Sequence, residues 1–180
     1  GGSFGRDRSR HFSTISTYNC HLNIENATIS EGKAPLIARG GSARLSRSEF
    51  HTLVGCNGFI SLYDMNAPLI EYCVFKGNRA INTDGIDLKG ITNGVVRHNQ
   101  VSGFLGSNCD GIDLGIYSLN NLLENNIIHN CSDKGISIGS QSNATIRRNL
   151  IYDCDLGIAL KDSLSVAYID QNTLYGNRQG

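Results

Sequence analysis

Apolar residues in this chain come in short bursts that alternate with polar ones, and the bursts repeat. One phrase returns four times: Gly85-Ile86-Asp87-Leu88, Gly111-Ile112-Asp113-Leu114, Gly135-Ile136-Ser137-Ile138 and Gly157-Ile158-Ala159-Leu160, at intervals of 26, 24 and 22 residues. Alternation over so few positions has the period of a strand and is too short for a helix. Self-similarity at this spacing marks a repeat architecture, in which each unit buries its apolar face against its neighbours.

A second series runs alongside the first. Counted from a polar residue it reads Asn26, Ser48, Cys73, Asn99, Asn126, Asn149 and Asn172. Three residues earlier stand Leu45, Ile70, Val96, Leu123, Ile146 and Ile169. Two residues later stand Phe50, Phe75, Val101, Ile128, Ile151 and Leu174. In the first unit those offsets fall on Asn23 and Thr28, so its register is uncertain. Each unit therefore holds three short strands, with Gly, Asn, Ser and Asp clustered between them as turns require. The pattern predicts an all-β, right-handed parallel β-helix of about seven coils with three strands each. At the usual inter-strand spacing the rod is on the order of 30 Å long. The asparagines suit a stacked turn, where each carboxamide satisfies backbone groups that would otherwise be orphaned inside the wall. Ser48 and Cys73 should weaken the ladder.

Composition narrows the picture. The chain has 180 residues, which suits one domain over 1–180. Sixteen basic residues balance 16 acidic ones, so no global field points to nucleic acid. No apolar run is long enough for a transmembrane helix. The absence of an opening Met and of a signal-peptide pattern suggests a processed chain or a piece of a longer one. Because the chain ends just after a ladder strand, an end-to-end partner or a further domain is expected at the open ends of the helix.

The repeats carry a resemblance. They resemble the pectin-lyase-like right-handed β-helix superfamily over nearly the whole chain. Asn82-Thr83-Asp84-Gly85-Ile86-Asp87 is similar to a phrase of polygalacturonase-type glycoside hydrolases, as is Lys134-Gly135-Ile136-Ser137-Ile138-Gly139-Ser140. Asp133 through Lys161 also resembles β-helical segments of bacterial surface proteins, which implies no activity. The hydrolase resemblance implies that Asp84 and Asp110 activate water. The family's proton-donating Asp falls on Cys109, its His on Lys134, and its Arg-x-Lys on Ala159 and Lys161. The water-activating half is present and the proton-donating half is not. A lyase resemblance instead implies that Asp84, Asp87, Asp110 and Asp113 hold Ca²⁺ and that Lys134 is the base.

The residues themselves leave three readings open. Asp87 lies between inward Ile86 and Leu88 and so points outward, as does Asp113 between Ile112 and Leu114. Stacked carboxylates repel and raise one another's pKa. They can bind a hard cation, form an acid/base set for glycosidic cleavage from Asp84, Asp110 and Asp113, or be neutralised by Lys89 and Lys134. Asp84 and Asp110, at turn positions, are the pair suited to capping backbone amides.

The remaining candidates are weaker. Cys131 and Cys154 stack in adjacent coils, either as a disulfide or as two thiols. Cys73 reads as buried, Cys109 as structural, and Cys56 has no assigned role. His11, His21, His51, His98 and His129 form no triad. Tyr63, Tyr117 and Tyr152 are candidate sugar platforms if exposed. Two function classes result. One is a secreted or cell-surface enzyme, a lyase or hydrolase acting on acidic polysaccharide. The other is a non-catalytic module for carbohydrate binding or surface assembly.

Overall fold

The computed structural model describes residues 15–30, 36–51, 57–79 and 82–179. The strands form three parallel sheets of seven strands each, and the chain visits the sheets in turn. Each visit makes one rung, so seven rungs stack as a parallel β-solenoid. None of the described residues is helical. His11 and Cys56 lie outside the described residues.

The repeated phrase lies in the first sheet, on Thr83–Lys89, Ile112–Gly115, Lys134–Ile138 and Leu156–Leu160. Its register is direct: Ile86, Ile112, Ile136 and Ile158 stack, as do Asp87, Asp113, Ser137 and Ala159. The phrase's glycine is needed for space. A Cβ on Gly85 would lie 2.6 Å from Gly111 O and 2.6 Å from Val101 Cγ1. On Gly111 it would lie 2.6 Å from Gly135 O and 2.6 Å from Ile128 Cγ2. Neither glycine has a positive φ. The missing side chain lets the first sheet close against the third. Gly111→Ala should therefore cost about 1–3 kcal/mol by overpacking. It would appear as a lower urea midpoint with an unchanged slope.

Aliphatic and aromatic columns fill the interior. Phe50 and Phe75 stack face to face with centroids 5.0 Å apart, and Phe59 meets Phe104 edge-on at 4.8 Å. At the corner between the second and third sheets one residue per rung is left-handed: Asn26, Arg47, Tyr72, His98, Asn125, Arg148 and Gln171, with φ from 47° to 55°. The polar ladder follows immediately. The N–H of Asn99 donates to Asn126 Oδ1 at 3.1 Å, and that of Asn126 to Asn149 Oδ1 at 2.9 Å. The N–H of Asn149 donates to Asn172 Oδ1 at 2.9 Å. Each carboxamide also donates back to a carbonyl of the preceding rung, as Asn126 does to Val96 O. Cys73 interrupts this pattern, since its thiol turns to Glu71 O.

The first rung corrects the sequence reading. Ile24 pairs with Leu45 and Ile29 with Phe50, so the ladder residue is Ala27 rather than Asn26. Ala27 N–H donates to Ser48 Oγ at 3.1 Å. The step is 21 residues, and Asn26 belongs to the left-handed corner.

A third column escaped the sequence reading. Two residues before the ladder, on the outer face of the second sheet, stand Glu71, Arg97, Glu124, Arg147 and Asp170 in register. Their charges alternate along the rod. Arg97 Nη2 meets Glu71 Oε2 at 2.7 Å, and Arg147 Nε meets Glu124 Oε2 at 2.8 Å. Arg44 adds a contact to Glu71 Oε1 at 2.8 Å. Such half-exposed pairs contribute little energy singly, but like charges face each other if the register slips by one rung.

Candidate functional site

The outer face of the first sheet gathers the acidic residues. One column runs Ser61, Asp87, Asp113, Ser137 and Ala159. Alternation turns these side chains away from the core, as the sequence implies, but it does not expose them. Asp87 is 1% and Asp113 8% accessible.

Two lysines and a tyrosine form the cover. Lys89 Nζ lies 2.8 Å from Asp87 Oδ1 and forms a short ion pair with Asp113 Oδ2 in the next rung. The contact to Asp87 is the less well aligned of the two, and among the described residues Asp87 Oδ1 has no donor in good hydrogen-bond geometry. Lys161 reaches back across the Ser137 rung to Asp113 Oδ1 at 3.0 Å. Tyr63 Oη adds a long contact to Asp87 Oδ2 at 3.4 Å. Glycines open the lane for both lysines. Gly115 pairs with Lys89, and a Cβ there would lie 3.3 Å from its Nζ. A Cβ on Gly139 would lie 3.0 Å from Lys161 Cε.

This arrangement separates the acids. Burial pushes Asp113 up, but Lys89 and Lys161 outweigh it and hold its carboxyl below the usual range. Burial pushes Asp87 up, and Lys89 only partly offsets that. Among the described residues Asp84 has no cation of its own. Burial, with the charges of Asp110, Asp113 and Asp87, pushes it up to about 8 despite the bond from Asp110 N–H.

Asp84 and Asp110 act as caps between rungs. Asp84 Oδ1 accepts Asp110 N–H at 2.8 Å, and Asp110 Oδ1 accepts Lys134 N–H at 3.0 Å. One carboxylate oxygen from each of Asp84, Asp87 and Asp113 falls within 4.8 Å of the others, and Asp110 stands outside that group. Calcium takes six to eight oxygens. Two of the three, Asp87 and Asp113, are already bridged by the Lys89 ammonium, which competes with a cation for the same oxygens, so the residues as placed do not fit the ion.

Lys134 lies 3.6 Å from Asp110 Oδ1 and also pairs with Asp133. Burial lowers its pKa, but the Asp133 hydrogen bond and the Asp110 charge outweigh that and raise it. A raised ammonium opposes the role of proton-abstracting base. Cys109, at the proton-donor position, is fully buried, and burial pushes its thiol up. Sequence reasoning missed Lys161 as a partner of Asp113. The signal was Gly115 and Gly139, small residues in the column between two lysines.

The other candidates are placed as follows. Cys131 and Cys154 are free, buried thiols. His129, Tyr152 and Tyr175 stack face to face at 4.6 and 4.9 Å, so both faces of Tyr152 are covered. Arg39 sits 3.9 Å over the Tyr63 ring. Tyr117 remains exposed. His98 stacks on Tyr72, and His21 bonds Ser42.

Asp84 gives a pH signature. Its folded pKa lies above the unfolded value of about 3.9, so its favourable contribution is present below that value and is lost as pH rises through about 8. Asp84→Asn keeps the acceptor for Asp110 N–H and cannot ionise. The variant should match wild type near pH 4 and exceed it in stability above pH 8, measured by urea melts across pH. Parallel curves for the two proteins would refute the assignment.

No helix among the described residues is long and apolar enough to cross a membrane. Comparisons with curated proteins and with solved structures find no match. The family model described as right handed beta helix region matches residues 13–180, and with three parallel sheets in one solenoid the chain belongs to that family, consistent with the pectin-lyase-like superfamily.

Proposed function

We propose that this β-helix is a non-catalytic module, a rigid rod for assembly at a surface, whose aspartate face is an internal cross-link. The observation that carries this reading is the Lys89 ammonium between Asp87 and Asp113, with Lys161 completing the charge balance. A face so neutralised has no free carboxylate pair at Asp87 and Asp113. Tyr152 is covered on both faces, which removes one of the three candidate sugar platforms, and Arg39 occupies one face of Tyr63. The resemblance to extracellular β-helices supports a secreted or cell-surface location. Four of the five described cysteines are buried, which would shield them in an oxidising medium.

One observation favours a second reading, cleavage of an acidic polysaccharide. Asp84 is held protonated to about 8 while Asp113 is held ionised, and acids pushed apart in this way divide donor and base roles. Asp84 would then donate the proton and Asp110 or Asp113 would activate water.

A panel of uronate polymers, assayed for new reducing ends and for unsaturated product, decides between the readings. Equal silence of wild type and Asp84→Asn is the expected result. Turnover by wild type that Asp84→Asn abolishes would replace the module with the hydrolase. A thermal melt with excess Ca²⁺ is expected to show no shift, and a rise lost in Asp113→Ala would restore the cation site.

A further inference from the structure

Two cysteines share one column at the corner where the third sheet gives way to the first. His129 pairs with Tyr152 in adjacent strands, and Cys131 and Cys154 each follow two residues later. The backbone keeps that register past the strands, since Asp155 N–H donates to Cys131 O at 3.3 Å. Adjacent parallel rungs lie about 4.8 Å apart, inside the range of about 4.4–6.8 Å that the Cα atoms of a disulfide span. Both side chains turn inward, with the residues 2% and 4% accessible. Each sulfur stands over a glycine of the repeated phrase. A Cβ on Gly111 would lie 3.3 Å from Cys131 Sγ, and one on Gly135 would lie 3.6 Å from Cys154 Sγ.

At this corner sulfur takes the part that carboxamides take at the other. Cys154 N–H donates to Asn177 Oδ1 at 3.0 Å, and Cys131 N–H donates in turn to the Cys154 sulfur. The Cys131 thiol donates to that sulfur as well. The Cys154 sulfur is thus drawn towards the preceding rung, against the atom it would have to join. The bond from the Cys131 thiol holds Cys154 below the usual thiol range, and the same bond, with burial, pushes Cys131 up. Among the described residues no other two cysteines share a column. Cys73 stands between Ser48 and Asn99, Cys109 follows Thr83, and Cys20 lies beside Ser42.

We propose that Cys131 and Cys154 are a redox-modified pair that closes into a disulfide between the fifth and sixth rungs, with a small disulfide such as oxidised glutathione as the oxidant. Cys154, the more acidic thiol, attacks the glutathione disulfide, and one glutathione leaves as a thiol. Cys131 then attacks the Cys154 sulfur and releases the second. One S–S bond forms and one breaks, and the two electrons and two protons of the pair end on glutathione. Burial slows this step in the folded rod, so the oxidant meets the pair when that corner opens. The inference goes beyond the module reading and does not depend on it. Cleavage of a polymer would overturn that reading and leave the thiol pair unaffected.

The test holds the reduced full chain in glutathione redox buffers, with urea below the unfolding midpoint to open the corner. Samples are alkylated and cleaved after Glu124, Lys134, Arg148 and Lys161, which leaves Cys131 and Cys154 on peptides with no other cysteine. Mass spectrometry should find those two peptides joined, in a fraction that rises with the oxidised share of the buffer and disappears with dithiothreitol. Urea melts should show an unfolding constant about a hundredfold smaller for the oxidised chain than for the reduced one, as a closed loop of one rung implies. Cys131→Ser and Cys154→Ser should each erase that difference. Both peptides alkylated in every buffer, glutathione retained on either without closure, or a bond to a different cysteine would overturn the proposal. So would a joined chain no more stable than the reduced one.

Discussion

Asn126→Leu is expected to lower stability by about 4 kcal/mol, since a buried polar group left unsatisfied costs about 1–3 kcal/mol and this change leaves several. Asn99 N–H loses the acceptor it meets at 3.1 Å, Val96 O loses its donor at 2.9 Å, and Asn149 Oδ1 loses the carboxamide at 3.0 Å. All three asparagines are about 1% accessible, so water cannot replace the lost bonds without opening the wall. Leucine has similar volume, which makes the deficit one of hydrogen bonding rather than packing. In a one-dimensional array the damage falls on the interfaces that rung five shares with its two neighbours. Hydrogen exchange should therefore quicken in the strands flanking Asn126 while the second and third rungs stay protected. A urea midpoint within error of wild type would mean that the carboxamides contribute no net stability.

Lys89→Met is the second large effect, about 3 kcal/mol at neutral pH, at the low end of the cost of removing one partner of a buried ion pair. Its Nζ holds Asp87 and Asp113 together, and methionine cannot. The pH dependence identifies the cause. Asp113 is held below the usual range by Lys89 and Lys161 against its burial. Its stabilisation is therefore present above the unfolded pKa of about 3.9 and is lost as pH falls through the folded value. Asp87 is held above its usual value by burial, so its contribution has the opposite sense, present at low pH and lost as pH rises through its folded value. Without Lys89 both acids are poorly compensated when ionised. The deficit of the variant should then be greatest at neutral pH and shrink towards pH 3, where both are protonated. Adding Asp87→Asn should recover most of it. A deficit that does not change with pH would point to packing of the lysine stem.

The fold was legible in sequence because the first sheet repeats Gly-Ile-x-Leu and the corner repeats Asn at compatible steps. Both recur for physical reasons, close approach at Gly85 and Gly111 and ladder bonding at Asn99 and Asn126. The first rung was not legible, because Ala27 contributes no side chain to the ladder and its step is shorter. The charge column was readable as alternating signs two residues before each ladder position, but no single pair there looks unusual. The candidate site was half legible. Stacking of Asp87 on Asp113 follows from spacing alone. Its roof does not, since Lys161 comes from 48 residues beyond Asp113 and crosses an intervening rung.

The ladder gives the rod a direction. From Cys73 to Asn149 each corner amide reaches forward to an oxygen that the chain has not yet supplied when that corner is laid down. A nascent chain thus completes each turn only when the following one arrives, and its growing tip always holds one donor in waiting. Synthesis from the N-terminus delivers the turns in the order the tip accepts them, so the stack can be assembled like a course of bricks, each bedded by the next.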